Sequence, residues 1–277
     1  MSNCWKVQLD AGVSLSSLVQ RAVAEGFRFV ELRQGCLGGC EDSETRLPRA
    51  DSLKKLAQDF PEITFDLAVE LPFFSEFINV SAETVEAMLV GVRTLSENDR
   101  PAHLRIVDLV SKNVPARRSA PAISVAEFAL EDVVDSLLNL KAQLPAGILS
   151  VEHSFQSWTG FRQVVEAASS HGDSSTDAIK VCYDPCNLWL AGDGEDANEI
   201  TQRLPTEWLS MVHLKQRVGG SISTRLESGD VDWPWQLELL NGAGYGGPFL
   251  FETAPSGDVW QCLSDSRDYL ASIVCGT

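Results

Sequence analysis

The sequence predicts an α/β fold in which eight parallel strands, each followed by a helix, close into one (β/α)8 barrel. Three observations support this prediction. Short β-type runs alternate along the chain with longer runs of helical periodicity, which indicates a parallel sheet. Eight such units are accommodated in 277 residues, a usual length for such a barrel. About 44% of the residues are apolar, which is enough for a large core.

Each strand prediction is a short β-type run that lies before a run of helical periodicity. The strands are expected at Trp5–Leu9, Phe29–Leu32, Thr64–Val69, Leu104–Val110, Ile148–His153, Ile179–Tyr183, Ser210–Leu214 and Phe249–Glu252.

The helix predictions depend on apolar residues at positions i, i+3 and i+4. Glu25-Gly26 and Asn241-Gly242 indicate helix ends, because Gly readily adopts the left-handed cap conformation. Helices are expected at Val13–Glu25, Ala50–Asp59, Ala82–Ser96 and Val125–Leu144, and with a less regular pattern at Phe161–Ser169, Ala197–Leu204, Pro234–Gly242 and Val259–Ile273.

No linker rich in Pro, Gly or Ser divides the chain, so residues 1–277 are expected to form one domain. Residues 34–49 and 111–124 are expected to be long loops after strands, where barrels usually carry their substrate loops. An open doubly wound sheet is the alternative architecture. Its nucleotide-binding form is weakened because the sequence has no Gly-x-Gly-x-x-Gly after the first strand and no Walker motif.

The composition is strongly acidic: 39 acidic and 22 basic residues give a net charge of −17. This charge repels nucleic acids and anionic membranes, and its simplest consequence is solubility. We see no signal peptide and no run of about 20 apolar residues. The odd number of cysteines, seven, favours a reducing cytoplasm. A four-thiolate zinc site is conceivable, but free thiols are the default for the pairs Cys36/Cys40 and Cys182/Cys186.

One acidic or imidazole side chain ends each of the last four predicted strands: Glu152, Asp184, His213 and Glu252. The C-terminal strand ends of a barrel meet at one mouth, so these side chains are expected to lie together. Three carboxylates in one place repel each other, and a divalent cation relieves that repulsion. Three oxygen ligands and one nitrogen ligand suit one Mn²⁺, Mg²⁺ or Co²⁺ ion, with Zn²⁺ as a further option.

The segments SVEHS, YDPCN and VHLKQ, followed by GDVDWPWQLELLNGAGYGGPFLFE, resemble those of the xylose isomerase-like TIM barrels. This family groups sugar isomerases and epimerases with endonuclease IV. The resemblance is strong over residues 147–253 and architectural before them. The site residues that it implies are the metal ligands Glu152, Asp184, His213 and Glu252, together with Lys215 of the HLK segment and Asn187 of the DPxN form.

The sequence also departs from the family pattern. Many members have a His where this chain has Ser154, and another where it has Asn187. His153 lies next to Glu152 and is expected to point to the opposite face. The whole chain has four His, whereas the endonuclease IV relatives need a His-rich cluster of three zinc ions. With the acidic charge, this difference makes a DNA-repair function unfavourable.

The resemblance implies chemistry next to a carbonyl group. A bound metal ion would chelate the substrate and stabilise an enediolate, while Glu152 and Glu252 remove and return the proton. The expected function is therefore a divalent-metal-dependent isomerase or epimerase of a small sugar or polyol. The absence of a Gly-rich phosphate loop or basic cluster favours an unphosphorylated substrate.

Further residues are candidates for binding the substrate. Lys215 shares strand parity with His213, and Arg217 follows the seventh predicted strand. Glu31 ends the second predicted strand and can contact a substrate hydroxyl, although a buried ion pair with Arg33 or another base explains it equally well. An apolar sugar wall is a further option, but core packing explains its members better: Trp5, Trp158, Trp189 and Phe73.

Two alternatives to an isomerase stay open. A dehydratase of a keto-inositol or a dehydroshikimate-like acid would expel a β-hydroxyl from the same enediolate. Basic residues near one predicted loop suit an acidic substrate: Arg105, Lys112, Arg117 and Arg118. A non-catalytic barrel that binds a sugar or a partner is less consistent with four intact ligand positions. Similar barrels are often dimers or tetramers, so a homo-oligomer is compatible with the resemblance.

Overall fold

The computed structural model confirms a barrel of parallel strands surrounded by helices, and its described part forms the barrel from seven strands rather than eight. It describes residues 1–74, 80–96, 101–109, 130–144, 146–154, 156–170, 178–191 and 197–275. Neighbouring barrel strands are parallel and follow chain order, and a short antiparallel hairpin of two further strands lies outside the barrel. The strands are β1 (Phe29–Arg33), β2 (Thr64–Glu70), β3 (His103–Val107), β4 (Ile148–Glu152), β5 (Lys180–Tyr183), β6 (Leu209–Leu214), β7 (Arg217–Val218), β8 (Ser221–Ile222) and β9 (Phe249–Phe251).

The predicted helices are present, with small differences at their ends. The expected loop at 111–124 and the first residues of the helix expected at Val125–Leu144 lie outside the described residues. A helix that the periodicity did not predict, α7, begins at Pro185, directly after the β5 strand. The helices are α1 (Lys6–Asp10), α2 (Leu15–Ala24), α3 (Ala50–Asp59), α4 (Ala82–Leu95), α5 (Leu130–Ala142), α6 (Trp158–Ser170), α7 (Pro185–Ala191), α8 (Ala197–Arg203), α9 (Trp233–Gly242) and α10 (Val259–Cys275).

The strand predicted at Trp5–Leu9 is wrong, because this segment is helical. A 3-10 helix, Ser2–Trp5, leads into α1. Trp5 and Leu9 are four residues apart and therefore share one helix face, which packs on the core, whereas Val7 is exposed. The same alternating letters thus fit a strand or a short amphipathic helix.

The N-terminal residues occupy the seam between β1 and β9, where an eighth strand was expected. The Met1 amino group donates to the Phe251 carbonyl at 2.9 Å, and the Cys4 thiol donates to the same oxygen at 3.4 Å. On the other side, the Ser2 hydroxyl accepts from the Arg33 amide at 2.8 Å. These bonds join β9 to β1 through the helical segment rather than through a strand ladder.

Two groups of polar side chains lie inside the barrel. The first, which we call the polar chain, consists of Asp66, His103, Ser150 and Ser210. The second, the charged cluster, lies nearer the C-terminal strand ends, because its members follow those of the polar chain along β3, β4 and β6. The charged cluster consists of Glu31, Arg105, Glu152, Asp184, His213, Lys215 and Glu252.

Within the described ranges, no helix is both long enough and apolar enough to cross a membrane.

Candidate active site

The side chains that end the last four predicted strands converge in the structure. Glu152 is the last residue of β4, Asp184 directly follows β5, His213 lies in β6, and Glu252 directly follows β9. One donor atom from each of these four residues lies within 4.8 Å of the other three. All four side chains are buried. The arrangement offers three carboxylate oxygens and one imidazole nitrogen to a single cation.

The first turn of α7 orients Asp184. Its Oδ1 atom accepts hydrogen bonds from the amides of Cys186 at 2.9 Å and Asn187 at 3.3 Å. Pro185 is the first residue of the helix, a position where its missing N–H costs nothing. The backbone therefore holds one oxygen of Asp184, and the other is left for the centre of the site.

Asn187 connects the site across two strands. Its Nδ2 atom donates to Glu152 Oε1 and to the His153 carbonyl, each at 3.0 Å. Its Oδ1 atom accepts from Lys215 Nζ at 3.2 Å. An amide supplies a donor and an acceptor at once, so it can link a carboxylate to an ammonium group.

His213 presents one ring nitrogen to each side. Its Nδ1 atom lies 3.1 Å from Glu252 Oε2 and 3.5 Å from Glu152 Oε1. Its Nε2 atom lies 3.2 Å from Cys182 Sγ and 3.8 Å from Glu31 Oε2. Nδ1 therefore belongs to the ligand set, while Nε2 contacts residues behind it.

Two permanent cations lie among the carboxylates. Lys215 Nζ is 2.5 Å from Asp184 Oδ2 and 2.6 Å from Glu252 Oε2. Arg105 binds both oxygens of Glu31, and its Nη1 atom contacts Glu152. The charge of the cluster is thus partly compensated within the protein.

Burial and charge act against each other on these pKa values. Burial raises the pKa of Asp184 to about 6, although Lys215 opposes the shift. Burial also acts to raise the pKa of Glu252, but Lys215 and His213 outweigh it and hold the pKa well below its usual value. Burial would lower the pKa of Lys215, but Asp184 and Glu252 raise it well above its usual value.

The charges of the cluster fit a divalent cation. Four carboxylates outnumber two permanent cations by two, and although burial acts to lower the pKa of His213, Cys182, Glu252 and Glu152 raise it well above its usual value. The buried atoms His213 Nδ1 and Glu252 Oε2 lie 3.1 Å apart, and Glu252 Oε2 shares Lys215 Nζ with Asp184. Buried carboxylates in excess of the neighbouring cations are costly unless a counter-charge binds them. A divalent ion would supply the missing positive charge.

A second set of donor atoms lies on the other side of His213, in Glu152, Cys182 and His213. Burial raises the pKa of the Cys182 thiol to about 12, so the thiolate form that binds metals is disfavoured. Six cysteines in the described part of the chain are free thiols. Cys36 and Cys40 belong to neither candidate set of metal ligands.

The structure brings some predicted substrate-binding residues into the cluster and leaves others outside it. Lys215 and Asn187 lie among the candidate ligands. Glu31 lies below them, and both of its oxygens are bound by Arg105, which is the buried ion pair expected as one interpretation. Arg217 lies in the β7–β8 hairpin, where its Nε atom is 3.5 Å from Asp230.

Arg105 has a different role from the one that the sequence interpretation considered. It belongs to the predicted strand Leu104–Val110, near a loop that would suit an acidic substrate, and it does lie within β3 but is 1% exposed. Its inward parity, two residues after His103 in an otherwise apolar strand, is the signal that could have identified it. Lys112, Arg117 and Arg118 lie outside the described residues.

The aromatic side chains considered for a sugar wall pack within the protein. Trp5 lies 5.9 Å from Trp260, and Phe73 lies 6.2 Å from Phe74. Trp158 stacks on Phe161 at 5.6 Å, and His153 packs against the edge of the same pair. His153 therefore points away from the ligands, as its parity predicted. The Trp189 side chain lies outside the described ones.

Comparisons with known proteins agree with this architecture. The family model of the xylose isomerase-like TIM barrel matches residues 19–266. A comparison with curated proteins gives no match. Solved structures give the fold alone, because their sequence identities are low.

Three of these structures have names that state an activity or a bound metal ion. The 3-keto-D-glucoside 4-epimerase YcjR of E. coli has a TM-score of 0.64 at 12% identity, covering 93% of this chain and 94% of its own. A xylose isomerase-like TIM barrel protein of Mycobacterium smegmatis in complex with magnesium has a TM-score of 0.63 at 15% identity, covering 95% and 88%. The IolI protein with a bound zinc atom has a TM-score of 0.62 at 13% identity, covering 94% and 93%.

Proposed function

This chain belongs to the xylose isomerase-like TIM barrel family, and we propose that it is a divalent-metal-dependent isomerase or epimerase of a small, unphosphorylated sugar or polyol. The observation that carries the proposal is the convergence of Glu152, Asp184, His213 and Glu252 on one point of the barrel mouth. Their residual negative charge supports a cation there. We further propose that residues 1–277 form one domain around this site.

We propose that the same four residues hold the metal ion. When bound, the ion polarises a substrate carbonyl and lowers the pKa of the neighbouring C–H. The oxygen-rich donor set favours Mn²⁺, Mg²⁺ or Co²⁺. The magnesium and zinc of the two structural relatives leave the choice between hard ions and zinc to experiment.

We propose that Glu152 and Glu252 exchange the proton of the substrate carbon. Their Oε1 and Oε2 atoms, respectively, approach His213 Nδ1 from two strands that are not neighbours in the sheet. One carboxylate then removes the proton and the other returns it, each acting as general base and general acid in turn. The buried position of both carboxylates limits competition from solvent.

The remaining polar residues have supporting roles in this proposal. Lys215 donates to a substrate oxygen next to the ligand carboxylates, and Asn187 fixes the orientation of Glu152. Arg217 is partly exposed in the hairpin after β6 and is suited to the outer end of a bound substrate. Glu31 is fully committed to Arg105, so a direct contact with substrate is unfavourable.

A dehydratase remains the second reaction that the same residues could support. The dehydratase hypothesis depends on four basic residues. One of them, Arg105, forms ion pairs with Glu31 and Glu152, and the other three lie outside the described residues. No observation on the described part of the chain therefore favours it over the isomerase. A small-molecule substrate and a reducing cytoplasm complete the proposal.

The test begins with metal content. The protein is purified after supplementation with Mn²⁺, Mg²⁺, Co²⁺ or Zn²⁺ and is compared with Glu252→Gln by elemental analysis. We expect about one ion per wild-type chain and a large loss in the variant, because one anionic ligand becomes a neutral amide. Wild-type protein without any bound divalent ion would contradict the proposal.

The reaction is then assigned with a panel of ketoses, aldoses, keto-inositols and dehydroshikimate in D₂O. Deuterium at the carbon next to the carbonyl, without loss of water, supports an isomerase or epimerase. Loss of water supports the dehydratase. The Glu252→Gln protein is the control, since exchange that persists in it does not come from the proposed site.

A further inference from the structure

Glu31 and Arg105 form a buried ion pair directly behind the candidate ligands. Arg105 Nε lies 3.0 Å from Glu31 Oε2, and Arg105 Nη2 lies 2.8 Å from Glu31 Oε1. Glu31 is 0% exposed and Arg105 is 1% exposed. This bidentate geometry holds the guanidinium plane in one orientation.

The pair contacts two of the four candidate ligands. The third nitrogen of the guanidinium, Nη1, binds Glu152 Oε2, so the opposite oxygen of Glu152 faces the ligand set. Glu31 Oε2 lies 3.8 Å from His213 Nε2, behind the imidazole. Glu152 and His213 belong to different strands, β4 and β6. The pair therefore connects two ligands that the strand between them separates.

Stability alone does not explain an ion pair at this position. Removing two charges from water is expensive, and apolar side chains of similar volume are often as stabilising. The same barrel interior is apolar elsewhere, where Cys182, Met211 and Leu250 pack together. A charged pair here serves the ligands better than the core, because groups behind metal ligands fix their orientation.

We infer that Glu31 and Arg105 are a positioning unit, which orients the Glu152 carboxylate through Arg105 and the His213 imidazole through Glu31. This inference rests on the proposed function, since it assigns the role of holding two metal ligands in binding geometry. Neither residue touches the substrate. Loss of either residue lowers the metal affinity and kcat, and it raises KM by a smaller factor.

The test measures the affinity of the whole protein for Mn²⁺ by calorimetry in wild type, Glu31→Gln and Arg105→Lys. Glu31→Gln keeps the shape but loses the charge, and Arg105→Lys keeps the charge but loses the fork that binds three oxygens. We expect Mn²⁺ affinity to fall by about 10- to 100-fold in each variant. Ser150→Ala, two residues before Glu152 on the same strand face, is the matched control and should retain wild-type affinity.

A double variant, Glu31→Leu with Arg105→Met, removes both charges together and avoids an unpaired buried charge. We expect it to fold with a similar thermal midpoint and to show the same loss of Mn²⁺ affinity. Mn²⁺ affinity within twofold of wild type in a folded Glu31→Gln or double variant overturns the positioning role. Wild-type protein that binds no Mn²⁺, Mg²⁺, Co²⁺ or Zn²⁺ overturns the proposed function and this inference together.

Discussion

The polar chain and the charged cluster occupy the same barrel interior but are built differently. In the polar chain, Asp66 Oδ2 lies 2.7 Å from His103 Nδ1, and His103 Nε2 lies 2.6 Å from Ser150 Oγ. Ser150 then donates to Ser210 at 2.7 Å, and Ser210 donates to a backbone carbonyl at 3.1 Å. Each group has a neighbour within the protein, and one carboxylate faces one imidazole.

In the charged cluster, the charges do not balance. Its four carboxylates exceed its two permanent cations, whereas the polar chain sets one carboxylate against one imidazole. Buried charges of one sign are costly unless a counter-charge balances them, so an excess of carboxylates indicates a missing cation. Burial alone therefore does not separate structure from function, but the balance of charge does.

The largest effect should come from Asp184→Asn, a substitution in the charged cluster. The amide keeps the shape of the side chain but removes one anionic ligand, so Mn²⁺ affinity should fall by at least about 100-fold. Thermal stability without metal should change little or rise, because burial disfavours the charged carboxylate. Calorimetry with Mn²⁺ and thermal unfolding without metal provide the two measurements. Unchanged Mn²⁺ affinity would remove Asp184 from the ligand set.

The second prediction concerns the polar chain and should give the opposite pattern. Ser150→Ala leaves His103 Nε2 without its partner in a buried site, which costs about 1–3 kcal/mol of unfolding free energy. Denaturant unfolding measures this loss, and Mn²⁺ affinity should stay the same. If Mn²⁺ affinity falls as far as it does in Glu31→Gln, the two groups are coupled and the distinction between them fails.

Lys215→Met separates the metal from the substrate. It removes a cation next to Asp184 and Glu252, so Mn²⁺ affinity should rise at least about fivefold, since even a water-screened charge at 4 Å is worth about 1 kcal/mol. Turnover of any substrate found in the panel should fall, because a donor to the substrate is lost. Lys215→Arg is the control that retains the charge. A lower Mn²⁺ affinity in Lys215→Met would show that the lysine supports the ligands instead.

The smallest effect concerns the pH dependence of stability. Burial acts to raise the pKa of Glu31, but Arg105 and His213 outweigh it and hold the pKa below the usual 4.5. A lowered pKa stabilises the folded protein above pH 4.5, and this contribution is lost as the pH falls towards the folded-state value. The difference in unfolding free energy between wild type and Glu31→Gln should therefore shrink below about pH 4.5. Denaturant unfolding between pH 3 and 7 tests it, and a constant difference would contradict the ion pair.

The sequence predicted most of the fold because strand and helix periodicities dominate it. Seven of the eight predicted strands are found among the described residues. Trp5–Leu9 failed because its apolar residues also share a helix face. Helix α7 was missed because its seven residues are too few to show a periodic pattern.

The site was predictable where chemistry coincides with a strand end, and unpredictable where it depends on side-chain length. Glu152, Asp184, His213 and Glu252 could be read from their positions. For Arg105, parity predicts an inward side chain but not its partner, because its Cα atom is level with Ser150 in the sheet, and only the long side chain brings the guanidinium to Glu152. Packing between strands decides which oxygen of a carboxylate faces which partner. Sequence patterns do not relate these strands to one another.

The seam between β1 and β9 has a dynamic consequence. Central strands exchange amide hydrogens slowly because both edges are bonded, whereas β1 and β9 each have one edge held only by a few bonds from the N-terminal helical segment. Local opening of the barrel should therefore begin there, with the fastest exchange among the barrel strands in β1 and β9. Glu31 lies on one side of this seam and Glu252 directly follows the other. Opening of the barrel at this seam would therefore first change the distance between the Glu31 and Glu252 carboxylates.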